Sequence, residues 1–202
     1  MPKGFDAYAS MKHGVAEKFA ADGYGFSAGY LFTHSAFKVL RDRSECEAVS
    51  KAGMSNVFIY ENGAPTTNAY FTPAQARLDA VHAPPLALAA GAPTNADAAV
   101  YFAVDGDCSA DIDGPVAAYF KIVHAAVKAS GLACGVYGSG AVCKMLTQLG
   151  YVSRTWLSQS TGFPGYLAWL PYADIVQGRA VVAHGIDIDL DTSNGHAGGF
   201  RV

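Results

Sequence analysis

The chain has 202 residues, of which 51% are hydrophobic and 15% are charged, so its composition is that of a folded globular protein and excludes extended disorder. The length suits one domain with a sizeable core, and we see no linker that would divide residues 1–202. A formal net charge of −3 supplies no basic surface for nucleic acid or an anionic membrane, so neither is an expected partner.

The sequence contains no recognisable membrane span, signal peptide or paired-cysteine motif. No window approaches the ~20 apolar residues of a membrane span, so we expect no integral membrane contact. Met1 to Lys3 lead into the first strand without an apolar targeting segment, which predicts cytoplasmic synthesis and, for a wall-acting protein, release by a non-standard or phage lysis route. The four cysteines form no C-x-x-C motif and predict buried free thiols, with a disulfide through Cys46 or Cys108 as the alternative.

The first three quarters of the chain alternate between predicted strands and predicted helices. Each strand is an apolar run, and each helix repeats apolar residues at helical spacing or begins with a helix-start signal. The predicted strands are 4–8, 26–32, 56–60, 100–104 and 133–137. The predicted helices are 11–22, 45–52, a helix from Thr72 that ends before a Pro/Ala/Gly-rich connection at 83–95, 114–130 and 141–149.

After residue 150 the rhythm changes. Three further strands are predicted at 155–159, 174–177 and 185–190, and the gaps between them show no helical period. Alternating strands and helices predict a parallel sheet, and eight such strands predict a closed barrel. We therefore predict an α/β fold: a single compact (β/α) TIM-like barrel with about eight strands and roughly five helices.

The strand at 100–104 ends in two carboxylates, Asp105 and Asp107, separated by Gly106. Residues at i and i+2 of an extended chain point to the same side, about 6.5 to 7 Å apart. Carboxylates at the end of a buried strand are costly to place without a partner. They indicate either a functional site or a capped turn into the following helix.

Other polar residues follow the remaining strands, and in a barrel the carboxyl ends of the strands form the active site. Acids and amides predominate, which predicts a cleft for a neutral polyhydroxylated ligand such as a sugar, rimmed by aromatic rings. The polar residues are Asp6, His34, Glu61, Asp105, Asp107, Tyr137, Ser139, Gln159, Gln177, Asp187 and Asp189. The predicted rim consists of Tyr8, Tyr60, Tyr101, Trp156, Trp169 and Tyr172.

Several acids in one cleft are also the machinery of glycoside cleavage, which needs one protonated and one ionised carboxyl group. Asp187, Asp189 and Asp191 alternate on one face, and we expect at least one of them to serve the turn before Gly195. No metal ligand set and no cofactor motif are found, so neither is expected. The candidate catalytic residues are Asp6, Glu61, Asp105, Asp107 and Asp189, and the candidate substrate-binding residues are Tyr137, Trp156, Gln159, Gln177 and Asp187.

Segments along nearly the whole chain carry a family resemblance. They are 4–6, 59–61, 101–107, 135–138, 176–177 and 185–191, with 101–107 the most specific. Through them the sequence resembles the glycoside-hydrolase-like barrels of bacteria and their phages, which are related to the family-25 muramidases that cleave peptidoglycan. The resemblance implies that Asp6 and Asp189 are the first- and last-strand carboxylates, that Asp105 orients or stabilises, and that Gln177 is the strand-seven amide.

One position departs from that family pattern. Muramidases place a glutamate, the general acid, two residues after the strand-four aspartate, where this chain has the shorter Asp107. Either Asp107 still reaches, or Glu61 is the acid, or the barrel binds without cutting. The expected function is a glycoside hydrolase acting on bacterial cell-wall polysaccharide, the peptidoglycan. The alternatives are a catalytically inactive carbohydrate-binding barrel and a metal-dependent hydrolase. The sequence predicts no oligomeric state.

Overall fold

Eight strands close into one barrel, in chain order, in the computed structural model, which describes residues 1–32 and 37–202. The predicted fold class is therefore confirmed. The strands are β1 (Lys3–Asp6), β2 (Phe26–Phe32), β3 (Ser55–Tyr60), β4 (Ala99–Ala103), β5 (Ala133–Gly138), β6 (Arg154–Leu157), β7 (Ile175–Ala183) and β8 (Ile186–Ser193). The helices are α1 (Val15–Ala21), α2 (Arg43–Lys51), α3 (Pro73–Ala89), α4 (Pro115–Ala129), α5 (Gly140–Gln148) and α6 (Tyr166–Trp169).

The prediction of an all-parallel sheet is wrong for the last strand. Neighbours from β1 to β7 are parallel, but β8 is antiparallel to both β7 and β1. The residues joining β7 to β8 are His184 and Gly185, and both have positive φ, at 53° and 77°. A two-residue turn of this kind makes a hairpin and cannot carry the chain back to start a parallel strand. The stretch 178–183, predicted as a gap, is the second half of β7.

Two helices also differ from the prediction. Helix α3 continues through Pro84 and Pro85 to Ala89, where a connection at 83–95 was expected. Ala83, Pro84 and Ala87 are buried there, and α3 packs against α4, so tertiary burial outweighs the hydrogen bonds that the prolines cannot donate. The sixth helix, α6, is a single turn within a segment where no helical period was seen.

Side chains alternate between the inside of the barrel and the layer beneath the helices. The interior holds aromatic rings from neighbouring strands: Trp156 meets Tyr101 and Tyr137 edge to face, with ring centroids 5.6 and 5.5 Å apart. Gly135 leaves room for Tyr101, because a Cβ at Gly135 would lie 2.7 Å from that ring. The interior is therefore filled at mid-height, which leaves its two ends as separate spaces.

The four cysteines are buried and free, as predicted, and no disulfide joins them. Within residues 1–32 and 37–202, no helix is both long enough and apolar enough to cross a bilayer.

The segment between β3 and α3 is fixed by one buried carboxyl group, that of Asp79 on α3, which is fully buried. Five side chains donate hydrogen bonds to it at 2.6 to 3.1 Å. The donors come from β3, the following segment, α3 and α4, so the carboxyl group joins four parts of the chain. Tyr60, Asn62 and Gln75 donate to Oδ1, and Tyr70 and Tyr119 donate to Oδ2.

That segment in turn supports the turn after β4. The N–H of Asp105 donates to the carbonyl of Pro65 at 2.9 Å. Gly106 packs on the backbone of Thr66, where an added Cβ would lie 2.0 Å from the Thr66 carbonyl oxygen. Asp79 therefore helps to hold Asp105 at the end of its strand without touching it.

Replacing Asp79 with alanine is expected to lower the free energy of unfolding by about 3–5 kcal/mol, because five donors, three of them buried, lose their acceptor together. Urea denaturation followed by far-UV circular dichroism measures the change. Glu17→Gln, at an exposed position on α1, is the control and should change stability by less than about 0.5 kcal/mol. A loss below about 1 kcal/mol for Asp79→Ala would contradict the role assigned to this carboxyl group.

Candidate active site

A cavity of about 220 Å³ opens at the end of the barrel where the parallel strands finish. Eight of the ten predicted site residues line it, which is the gathering that the strand-end argument predicted. Asp189 joins them because β8 runs in the opposite direction, so its beginning lies at this end. The lining residues are Asp6, Tyr30, Ile59, Glu61, Ala103, Asp105, Tyr137, Trp156, Gln159, Gln177 and Asp189.

The amide of Gln177 links the acids across the barrel. Its Nε2 donates to Asp6 Oδ2 at 3.0 Å and, more weakly, to Asp189 Oδ2 at 3.4 Å. Its Oε1 accepts from the Tyr137 hydroxyl at 2.9 Å and from the backbone N–H of Gln159 at 3.4 Å. Because the acceptors Asp6 and Asp189 lie beside its nitrogen and two donors lie beside its oxygen, the orientation of the Gln177 amide is fixed.

A break in the β7–β8 ladder follows Gln177 directly. Gln177 pairs with Asp191, but the next pair is Ala180 with Asp189, so β7 bulges by one residue. A bulge bends and twists its strand and re-aims the neighbouring side chains. It brings Gln177 and Asp189, two positions apart in register, to the same cavity.

Asp6 and Asp191 share a proton beneath the cavity. A hydrogen bond from the Asp191 carboxyl group to Asp6 raises the pKa of Asp191 and lowers that of Asp6, so Asp191 carries the shared proton. Asp191 Oδ1 accepts from Trp156 Nε1 at 3.0 Å, while its buried Oδ2 receives no donor from any N–H or from another hydroxyl of the described chain. A proton between Oδ2 and Asp6 satisfies that atom and removes one negative charge from the barrel interior.

Burial sets the acidity of this pair. It raises the pKa of Asp6 to about 7, helped by the charge of Asp189 and opposed by the hydrogen bond from Gln177. Burial, together with the neighbouring charge of Asp6, holds the pKa of Asp191 well above its usual range. Burial also raises the pKa of Asp189. At neutral pH the floor of the cavity therefore retains a proton that an exposed aspartate would have lost.

Glu61 lies opposite in a different setting. The ammonium of Lys38 is 2.9 Å from Glu61 Oε2 and also lies 3.9 Å from the centre of the Tyr30 ring. Both side chains of the ion pair are about one fifth exposed, at 22% for Lys38 and 19% for Glu61. Glu61 is therefore held in an ion pair, whereas the sequence offered it as one of two candidates for the proton donor.

The two acids after β4 do not act together. Asp105 lines the cavity, but Asp107 does not, and both are exposed. The expectation that i and i+2 face the same side fails because β4 ends at Ala103 and residues 104–110 lie outside any strand. The backbone turns at Gly106, packed on Thr66, and extended-chain geometry no longer applies.

A second cavity of about 240 Å³ adjoins the first and shares Asp6, Tyr30 and Asp189 with it. Asp187 lines this second cavity and not the first. Its Oδ2 accepts a hydrogen bond there from the Tyr8 hydroxyl at 3.2 Å. Taken together, the two form a groove that reaches the usual size of ligand pockets, about 300–1,000 Å³.

The predicted aromatic rim is largely wrong. Tyr60 points away from the barrel interior to Asp79, and the Tyr101 hydroxyl donates to the carbonyl of Ala197 at the opposite end of the barrel. Trp169 and Tyr172 lie beside α5 on the outer surface. The aromatic residues at the groove are Tyr8, Tyr30, Tyr137 and Trp156.

Sequence reasoning missed three residues of the site: Tyr30, Lys38 and Asp191. Inward alternation along β2, from Phe26 through Ala28 to Tyr30, was the available signal for Tyr30. Asp191 was not chosen as a site residue, because at least one of Asp187, Asp189 and Asp191 was expected to serve the turn before Gly195, although its i+2 spacing from Asp189 places it on the same inner face. The predicted strand-end residue His34 lies outside the described residues. Within the described ranges, no group of three or more His, Cys, Asp or Glu residues could hold a metal ion.

Comparison with known proteins identifies relatives of this fold. Residues 17–193 match the model of the family described as the Rv2525c-like, glycoside hydrolase-like domain. A comparison with curated proteins gave no match.

Solved structures of similar fold include the Tat-secreted protein Rv2525c of Mycobacterium tuberculosis in complex with L-tartrate, with a TM-score of 0.81 and 18% identity over 98% of each chain. The muramidase from Trichobolus zukalii has a TM-score of 0.59 and 14% identity, covering 96% of this chain and 94% of that one. The lysozyme from Streptomyces coelicolor has a TM-score of 0.54 and 15% identity, covering 97% and 93%. At these identities the similarity shows a shared fold.

The shared proton makes stability depend on pH. The folded chain keeps a proton up to about pH 7, whereas unfolded aspartates ionise near 3.8, so stability should fall as pH rises through this interval. In Asp191→Asn, the side-chain amide can accept from Trp156 and donate to Asp6, and position 191 no longer titrates. We expect this variant to exceed the wild type in free energy of unfolding by on the order of 1–2 kcal/mol at about pH 8.

Urea unfolding of both proteins between about pH 5 and pH 8 measures this difference. Asp113→Asn, at an exposed position before α4, is the control and should follow the wild-type profile. A wild-type profile that runs parallel to that of Asp191→Asn would disprove the shared proton.

Proposed function

Because this chain belongs to the Rv2525c-like, glycoside hydrolase-like domain family, we propose that it is a glycoside hydrolase acting on bacterial cell-wall polysaccharide, with peptidoglycan as substrate. One observation carries the proposal: Asp6, a buried acid whose pKa is raised to about 7, faces other carboxyl groups across a single groove. Glycoside cleavage needs this division between a protonated and an ionised carboxyl group. The fold shared with a muramidase and a lysozyme supports the choice of substrate.

In this proposal Asp6 is the general acid. As the glycosidic C–O bond breaks, the Asp6 proton passes to the leaving oxygen. Asp191 keeps its own proton, because burial holds its pKa well above the usual range, and it donates a hydrogen bond to the Asp6 carboxylate that remains. Glu61 and Asp105 supply negative charge to stabilise the oxocarbenium-like transition state. Water then adds its oxygen to the anomeric carbon, and its released proton restores the Asp6–Asp191 pair.

The remaining groups bind the sugar. Gln159 and the hydroxyl of Tyr137 offer hydrogen bonds at the groove, and the ring of Tyr30 offers an apolar face. Burial raises the pKa of Tyr137, so its hydroxyl keeps the proton that it donates to Gln177, and the oxygen can accept from a sugar hydroxyl. Gln177 acts through Asp6 and Asp189, whose side chains it holds in place.

Release of reducing ends from purified peptidoglycan tests the proposal. Asp6→Asn should lower the rate about 100-fold or more, because general acid catalysis contributes that much. Glu61→Gln and Asp105→Asn should also lower it, whereas the exposed control Glu17→Gln should match the wild type. Absence of release by the wild type, or equal release by all variants, would refute the hydrolase.

The pH dependence of the rate is a second test. Because the acid must carry its proton, kcat/KM should decline as pH rises above about 7. Asp191→Ala removes the donor whose hydrogen bond lowers the pKa of Asp6, so the decline in this variant should begin at higher pH, whereas Asp191→Asn keeps a donor and should follow the wild type. An unchanged alkaline limb in Asp191→Ala would contradict the assignment of Asp6 as the acid.

A second candidate function is carbohydrate binding without cleavage. It is favoured by the position of Asp107, which stands where the resemblance places the muramidase general acid yet does not line the groove. This function predicts that the wild type sediments with purified cell walls while releasing no reducing ends. It also predicts that Asp6→Asn, which keeps the groove's shape, still sediments.

A further inference from the structure

The opposite end of the barrel contains a larger cavity, of about 450 Å³, which we call the base cavity. Among the described residues it shares no lining residue with the groove. It lies where the parallel strands begin and β8 ends, beneath the layer of rings that fills the barrel. Its lining residues are Pro2, Gly25, Phe26, Ser55, Asp97, Arg154, Ser193, Gly195, His196, Ala197, Gly198 and Gly199.

Arg154 presents an unused hydrogen-bonding edge at this cavity. It alternates with Thr155 along β6 and so faces inward, on the same side as Trp156. Its Nη1 donates to the carbonyl of Ser153 at 2.9 Å, but its buried Nε has no partner. Within residues 1–32 and 37–202 its Nη2 also makes no hydrogen bond. Native structures rarely leave a buried N–H group unpaired, so this one calls for an acceptor.

The segment 195–199 supplies further donors. Gly195 and Gly198 have φ of 104° and 65°, and a Cβ on Gly198 would lie 2.4 Å from Ala99 Cβ. The backbone N–H groups of Ala197, Gly198 and Gly199 have no acceptor within the described chain. Successive free N–H groups in a glycine-rich turn form a concavity that favours anions. The Tyr101 hydroxyl, which donates to the carbonyl of Ala197 at 2.9 Å, anchors this segment.

We propose that the base cavity binds a small organic acid through one oxyanion group, a carboxylate or a phosphate. Nε and Nη2 form one side of the planar guanidinium, which pairs with two oxygens of such a group in parallel hydrogen bonds. Asp97 lines the same cavity. Its carboxylate would repel a ligand with several negative charges, and it can accept a hydrogen bond from a hydroxyl or ammonium group of the ligand. The ligand class is therefore a compact acid that carries one anionic group and at least one donor.

Nuclear magnetic resonance of the ¹⁵N-labelled protein tests this site. Sodium acetate and sodium phosphate are titrated separately at constant ionic strength, with sodium chloride as the reference. At least one of the two should produce saturable shifts in the Arg154 Nε–H and in the amides of residues 197–199, and chloride should not. The comparison between acetate and phosphate identifies the preferred oxyanion.

Arg154→Gln should weaken the binding about tenfold or more, because hydrogen bonds to a charged group are lost. Arg179→Gln, at an exposed position on β7, is the matched control and should bind as the wild type does. Absence of saturable shifts at these signals in the wild type would overturn the proposal, even if the Arg154 variant failed to fold. Equal binding by a folded Arg154→Gln would also overturn it. Neither result bears on the groove, so failure here is separate from failure of the proposed hydrolase.

Discussion

A proton held between Asp6 and Asp191 decides what the groove can do. Two carboxylates in the interior of a barrel would repel each other and lose their hydration, and the fold relieves both costs by keeping one of them neutral. Trp156 binds one side of the pair and Gln177 the other, so hydrogen bonds continue from β6 through β8 and β1 to β7 and on to Tyr137 on β5. The chemical group at the centre of the site is thus also part of the barrel's interior packing.

The sequence predicted much of this arrangement, and partly for a reason that proved wrong. Asp189 was placed at the groove as the carboxyl end of a parallel strand, but it lies in the first half of an antiparallel one. The predicted position of Asp189 was nevertheless correct. The prediction ended β7 at Gln177, six residues too early, and therefore missed the hairpin through His184 and Gly185 that reverses the direction of β8. Period-two alternation identifies which residues face inward, but it carries no information on strand direction. The turn residues carried that information.

Where prediction failed, long-range packing decided the outcome. Asp107 leaves the groove because Gly106 fits against Thr66, a contact between segments about forty residues apart that no local pattern records. Tyr60 turns outward because a buried carboxyl group on α3 needs donors, and nothing near Tyr60 in the sequence announces Asp79. Asp191 was undervalued for a related reason, since its partner Asp6 lies at the other end of the chain. The ends of the strands could be predicted from local sequence patterns, whereas the hydrogen-bond partners of buried polar groups could not, because those partners are distant in sequence.

The antiparallel last strand has a consequence for the order in which the protein is assembled. Asp6 is synthesised about 170 residues before Gln177 and still longer before Asp189 and Asp191, and β1 gains its second neighbour when β8 arrives. Until then the barrel has an open seam beside Asp6, where water can hydrate the carboxylate and no partner shares its proton. A growing chain therefore carries an ordinary ionised aspartate at this position, and the acid comes into being with the final strand.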